Sequence, residues 1–297
     1  MLQPEEAIFS TQGLKLWYKV SGTGPICIVP TPGWGPSSDM YFQTLTPLET
    51  IFTLVYLDTR GTGRSERPVQ PSDYTYDQFA ADLDALRQQL GQERVWLMGH
   101  SEAGRHVLYY ALQYPDHCAG LILLDAVSFQ DERSHTDMEM RLRERQHEPW
   151  FDLAYQAFTS QEMPESEADF LKFIQTILPL YYYDVANIQL NASHHAATSM
   201  SLDAFKGSAQ CQWHKTNLMS RLKEICVPTL IAVGSHDFIC SPLHAHRLHM
   251  EITGSKFILI ERAGHFPWYE QPDQFFTKVK EGLAAVQAST WHNLLIR

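Results

Sequence analysis

Residues 94–115 read RVWLMGHSEAGRHVLYYALQYP, and the turn at their centre, Leu97 to Gly104 (LMGHSEAG), decides how the rest of the chain is read. An apolar run (94–100) passes through small residues straight into a helical pattern (104–115) that Pro115 stops. A strand turning this sharply into a helix leaves one residue at the tip, and that residue is Ser101. Gly99 and Ala103 are small enough to let strand and helix approach. Such an elbow strains the serine backbone and lifts its hydroxyl clear of the sheet, as a nucleophile requires. The competing reading is a serine that only caps a helix.

Outward from this turn the same rhythm recurs. The runs PICIVPT (25–31), FTLVYLD (52–58) and GLILLDAV (120–127) are short and continuously apolar, as strands covered on both faces are. LKLWYKVSG (14–22) alternates apolar and polar residues, which predicts a half-buried strand at a sheet edge. TYDQFAADLDALRQQLG (75–91) carries Phe79, Leu83, Leu86 and Leu90 on a helical stripe closed by a glycine. Strands alternating with helices predict an α/β fold with a mostly parallel sheet flanked by helices.

The rhythm stops near residue 128 and resumes near 218. The intervening block is rich in charge, methionine, histidine and aromatics, and 165–184 is amphipathic through Phe170, Phe173, Ile174, Ile177 and Leu178. VPTLIAVGSHD (227–237), a helix from Ser241, KFILIERAGH (256–265) and a helix over 272–286 then restore the pattern. The expected organisation is a core (1–127), an inserted helical cap (128–217) and the second part of the core (218–297).

Bulk properties narrow the function. The 297 residues, 44% of them apolar, suffice for a large core. With 23 Lys+Arg against 34 Asp+Glu the net charge is −11, which argues against a nucleic-acid partner. Five scattered cysteines form no C-x-x-C pair, so a zinc ribbon or disulfide framework is not indicated and reduced thiols are expected. No signal region or membrane-length apolar run is apparent, so a cytoplasmic protein without membrane contact is expected.

A serine hydroxyl needs a base, and the base needs a partner that fixes its tautomer. Open α/β sheets build sites at the C-terminal ends of their strands. Two such ends supply the missing pair: Asp237 closes LIAVGSHD and His265 closes LIERAGH. Asp125, ending LILLD, competes for the role of acid. Asp58 ends LVYLD, but Arg60 and Arg64 follow, which predicts a structural ion pair. His244, His246 and His249 do not share one helix face, and His194-His195 lacks a companion cysteine or carboxylates, so no metal site is expected. Oxyanion donors are expected at the backbone N–H of Glu102 and, from the loop Pro32-Gly-Trp-Gly-Pro36, at the N–H of Trp34. That loop reads equally as an ordinary Gly/Pro turn with a packed tryptophan.

The segments PTPGWGPSSDMY, YLDTRGTGRSERP, GHSEAG, GSHD and AGHFPWYEQP together resemble the α/β-hydrolase superfamily, and within it the proline iminopeptidase-like branch. The D-x-R-G-x-G-R-S run (Asp58, Arg60, Gly61, Gly63, Arg64, Ser65) carries the resemblance to that branch, which spans about residues 5–127 and 218–287. It implies Ser101 as nucleophile, Asp237 as acid, His265 as base, and Trp34 and Glu102 at the oxyanion positions. Two departures stand out. Iminopeptidases usually carry H-G-G-P-G where this chain has TPGWG, and Trp where it has Glu102. They also hold the substrate amine with cap acids, which are not identified in this block.

The leading expectation is therefore a cofactor-free serine hydrolase of small esters, lactones or amides. The fold also hosts iminopeptidases, lyases, C–C bond hydrolases, rearrangement catalysts of secondary metabolism and ligand-binding receptors. Its dehalogenases and epoxide hydrolases use an Asp nucleophile, against which Ser101 counts. Tyr181, Tyr182 and Tyr183 are candidate pocket residues, or else pack the cap's own core. Glu102 is the awkward residue: a carboxylate about 5 Å from a developing oxyanion costs about 3 kcal/mol at an effective dielectric near 20. Pairing with Arg105 or His106, three and four residues on, would relieve it, and amine recognition is the alternative.

Overall fold

Eight strands form one sheet in the order β1-β2-β4-β3-β5-β6-β7-β8. The computed structural model describes residues 5–127, 131–160, 162–210 and 218–295. β1 (Glu5–Thr11) and β2 (Leu14–Gly22) form an antiparallel hairpin, and β2 runs antiparallel to β4 (Thr53–Leu57). β3 (Ile26–Pro30), β4, β5 (Val95–Ser101), β6 (Cys118–Ala126), β7 (Thr229–Gly234) and β8 (Lys256–Ile260) are mutually parallel. The edge position expected for 14–22 belongs instead to β1, which the sequence reading missed. Its paired glutamates mask an alternation in which Phe9 and Thr11 are buried.

The helices are α1 (Asp39–Phe42), α2 (Tyr76–Gln89), α3 (Ala103–Gln113), α4 (Glu132–Glu144), α5 (Phe151–Thr159), α6 (Glu167–Ile177), α7 (Ala186–Leu190), α8 (Ala192–Ala197), α9 (Leu202–Gln210), α10 (Pro242–Glu251), α11 (Pro267–Glu270) and α12 (Pro272–Leu295). Thr75 caps α2 by accepting the Gln78 N–H, and Ser241 caps α10 through the His244 N–H. Successive strand residues face opposite sides, so β3 and β5 feed two cores. Ile28 and Leu97 pack with Leu83, Val107 and Leu248 from α2, α3 and α10. Cys27, Val29, Trp96 and Met98 pack with Tyr41, Phe275 and Val279 from α1 and α12.

Between β6 and β7 the described residues hold α4–α9 and no strand, apart from one isolated bridge between Pro36 and Met200. The expected boundaries at 128 and 217 lie outside the described residues. The helix expected over 165–184 ends at Ile177; Pro179 cannot continue the hydrogen-bond ladder, and Leu178–Tyr181 forms a 3-10 turn. The last helix runs to Leu295 rather than 286. Among the described residues, Cys27, Cys118 and Cys240 are buried free thiols, Cys226 is an exposed one, and no helix is long and apolar enough to cross a membrane.

Candidate active site

Ser101 is the last residue of β5, and α3 starts two residues later. Its φ is +55°, a left-handed value that a non-glycine residue adopts at a cost, as at a tightly turned elbow. Close packing holds it there. A Cβ at Gly99 would lie 2.6 Å from Val107 Cγ2, and one at Gly104 would lie 2.6 Å from Ala126 Cβ. The Val127 N–H donates to the Ser101 carbonyl at 2.9 Å.

Beyond β7 and β8 the chain brings Asp237 to His265, and both are buried. His265 Nδ1–H donates to Asp237 Oδ2 at 2.8 Å, while Asp237 Oδ1 accepts the N–H groups of Ile239 (3.0 Å) and Cys240 (3.1 Å). Burial pushes the Asp237 carboxyl up, but His265 and these two N–H groups outweigh it and hold the group below its ordinary value. Asp125, the rival acid, sits at the end of β6 and accepts the Gly234 N–H at 2.8 Å. Burial drives it far above the carboxylate range, and the neighbouring Asp237 charge adds to this, so it is the neutral member of the two. The hydrogen bond to His265 belongs to Asp237.

Ser101 and His265 both line a cavity of about 750 Å³, together with Trp34 and Tyr181. Trp34 has φ +73°, and its ring packs among Phe158, Phe173, Tyr181 and Phe205. Its loop is stitched to the inserted block: Ser37 N–H donates to Ser199 O and Ser201 N–H to Gly35 O, both at 2.8 Å. The loop also rests on the start of α3, since a Cβ at Gly33 would lie 2.4 Å from Glu102 Cβ. The expected tyrosine trio divides. Tyr181 lines the cavity, Tyr182 is buried with its hydroxyl on His195 Nε2 (2.8 Å), and Tyr183 packs on His236, so neither of the latter two lines it. Consecutive residues of a turn cannot all face one way.

Glu102 is tied down. Arg105 Nη1 donates to both carboxylate oxygens, at 2.8 and 3.0 Å, whereas His106 stacks on Phe79. Burial still leaves the Glu102 carboxyl above its ordinary value, against the pull of Arg105. Glu102→Gln strips a buried guanidinium of its partner and should cost about 3 kcal/mol of unfolding free energy in a urea titration. Asp58 also proves structural: Arg64 Nη1 binds it at 2.7 Å, while Arg60 pairs with Asp82 instead.

Three further residues escaped the sequence reading because only tertiary contacts reveal them. His100 Nε2–H donates to the His265 carbonyl (3.1 Å), so its Nδ1 accepts from the Tyr41 hydroxyl (3.1 Å) and the ring anchors the His265 loop. Cys240 joins Asp237 and His265 in a trio whose donor atoms lie within 4.8 Å of one another. Burial pushes that thiol far up, so it stands as a neutral wall beside the pair. Glu270 accepts the N–H groups of Gly264 (2.6 Å) and Asp184 (3.0 Å), joining the His265 loop to the turn that carries Tyr181.

Burial raises Glu270 from 4.5 to about 7, against those N–H groups, the Tyr183 N–H and the Arg145 charge. Between these two values the folded chain holds a proton that the unfolded chain releases, so its contribution to stability falls as pH rises. Relative to Glu270→Gln, the parent chain should lose about 3 kcal/mol of stability across that window and nothing further above it. Urea midpoints of both proteins across the window check this.

Residues 26–272 match the family model described as alpha/beta hydrolase fold. A proline iminopeptidase of Saccharolobus solfataricus is 27% identical over 289 residues, covering 93% of this chain and 91% of its own. Among solved structures, an alpha/beta fold family hydrolase from Bacillus anthracis superposes with a TM-score of 0.76 at 17% identity, covering 94% of this chain and 99% of that one. An enol-lactonase from Burkholderia xenovorans gives 0.72 at 21% identity, covering 94% and 100%. The elbow at Ser101, the strand order and the matched span lead to one conclusion: the chain belongs to the alpha/beta hydrolase fold family.

Proposed function

We propose that this protein is a serine hydrolase that opens small esters, lactones or amides through an acyl-enzyme. One observation carries the reading. His265, paired with the buried Asp237 at 2.8 Å, and a strained Ser101 line the same cavity. In this scheme Ser101 Oγ attacks the substrate carbonyl while His265 Nε2 takes its proton. Asp237 fixes the Nδ1–H tautomer and stabilises the imidazolium that forms. His265 then hands the proton to the leaving group, and a water deprotonated by the same nitrogen releases the acid. No cofactor enters the scheme.

The oxyanion forms where two backbone segments meet. Glu102 N–H lies before the first turn of α3, where helical N–H groups lack intrahelical acceptors. Trp34 N–H comes from the loop packed against that turn. We read α4–α9 as a cap over the site, supported by the Ser37–Ser199 and Gly35–Ser201 hydrogen bonds and by Tyr181 in the cavity wall. The cavity volume is that of a small-molecule site.

A second reading, an iminopeptidase releasing N-terminal proline, is favoured by the similarity to the Saccharolobus protein of that name. Turnover of short acyl aryl esters and of prolyl arylamides, with fluorophosphonate labelling alongside, tests both. Ester turnover with labelling supports the first reading, and preferred prolyl arylamide turnover supports the second. Absence of both turnover and labelling contradicts the serine hydrolase.

A further inference from the structure

We infer that the cavity takes an uncharged, largely apolar acyl group and excludes one that carries a free ammonium beside the scissile carbonyl. The inference rests on Ser101 as nucleophile and names the substrate class of that same site.

The cavity lining is largely apolar. Besides Ser101 and His265, its buried and partly buried lining includes Trp34, Ile177, Leu178, Tyr181, Ile239 and Phe266. Its exposed lining side chains are mixed, with Leu171 and Ala196 beside Glu167, Gln175 and Gln189. Such a lining suits a largely apolar substrate body.

An ammonium buried at the floor needs a carboxylate, and each nearby one is committed elsewhere. Glu102 is bound twice by Arg105 and is not part of the lining. Asp237 faces His265 and two backbone N–H groups, and the neutral Asp125 lies behind it on Gly234. Glu270 receives Gly264 and Asp184. Among the described lining residues the one Asp or Glu is Glu167; it is exposed, accepts the Leu202 N–H at 3.2 and 3.3 Å, and sits 3.9 Å from Arg67. His195 supplies no negative charge in either protonation state, and its Nε2 is on Tyr182. None of the residues outside the described set is Asp or Glu. A charged amine entering this floor would be desolvated without a counter-charge, which is strongly unfavourable.

Two measurements on the unaltered protein test this. The first is kcat/KM for 4-nitrophenyl acetate, butyrate and hexanoate, expected to rise about fourfold per added methylene, the equilibrium factor for burying one. The second compares phenyl cyclopentanecarboxylate with phenyl prolinate, which differ by a methylene against an ammonium. At about pH 6.5 the amine is charged, and the neutral ester should be preferred at least about 100-fold. Equal or faster turnover of the prolinate, or no gain with chain length, overturns the inference while intact fluorophosphonate labelling of Ser101 leaves the hydrolase reading standing. Loss of both labelling and turnover overturns the nucleophile, and this inference with it.

Discussion

Ser101→Ala is expected to lower kcat about 10⁴- to 10⁶-fold and to abolish fluorophosphonate labelling. The size follows from the nature of the step. Without the hydroxyl no acyl-enzyme forms, and what remains is the catalysis that oxyanion donors and substrate binding give to attack by water. The variant should fold, because alanine removes one oxygen at a position whose backbone is held by Gly99, Gly104 and the Val127 hydrogen bond. Near-normal turnover in a folded Ser101→Ala protein would mean that the elbow is only a helix start.

Asp237→Asn should follow, with a loss of about 10⁴-fold in kcat. The amide that replaces the carboxylate can place its own N–H against His265 Nδ1, which favours the wrong tautomer and leaves the imidazolium without a counter-charge. Asp125→Asn should cost less than about tenfold. Asp125 is already neutral and its task is to accept the Gly234 N–H, which an amide oxygen can also do. Steady-state kinetics on one aryl ester decides the matter, and the reverse ranking would move the acid to the end of β6.

How far the sequence foretold this arrangement depends on what each residue's role requires. Parallel buried strands announce themselves locally, because a strand covered on both faces must be apolar throughout, as ICIVP and TLIAVG are. Ser101, Asp237 and His265 were legible for the same reason: each lies at or just beyond the end of such a run, where an open sheet presents side chains. β1 was not, since a strand with one partner tolerates polar residues and Glu5 and Glu6 hide Phe9. The choice between Asp237 and Asp125 could be ranked by position, but their opposite protonation depends on who donates to whom across 112 residues of chain. Tyr181 is the last residue of the 3-10 turn that contains Pro179, and Tyr182 after it is extended, a change of direction that helical periodicity does not describe. His100 and Glu270 act through backbone atoms of distant loops, and no spacing rule carries that information.

The comparison with iminopeptidases turns on Glu102. Seen as sequence, a carboxylate directly after Ser101 predicts pairing with Arg105 or His106, with amine recognition as the alternative. In the structure its oxygens point to Arg105, so its charge is balanced before any substrate arrives. In the proposed mechanism the same guanidinium would offset the repulsion that a free carboxylate imposes on an oxyanion formed beside it.

Rapid-quench mass spectrometry of the protein mixed with a 4-nitrophenyl ester decides whether Ser101 carries the acyl group during turnover. A transient acyl adduct is expected, formed in a burst with one equivalent of nitrophenolate and located on the peptide that contains Ser101. Steady turnover with no adduct, or an adduct on another residue, would contradict that role for Ser101.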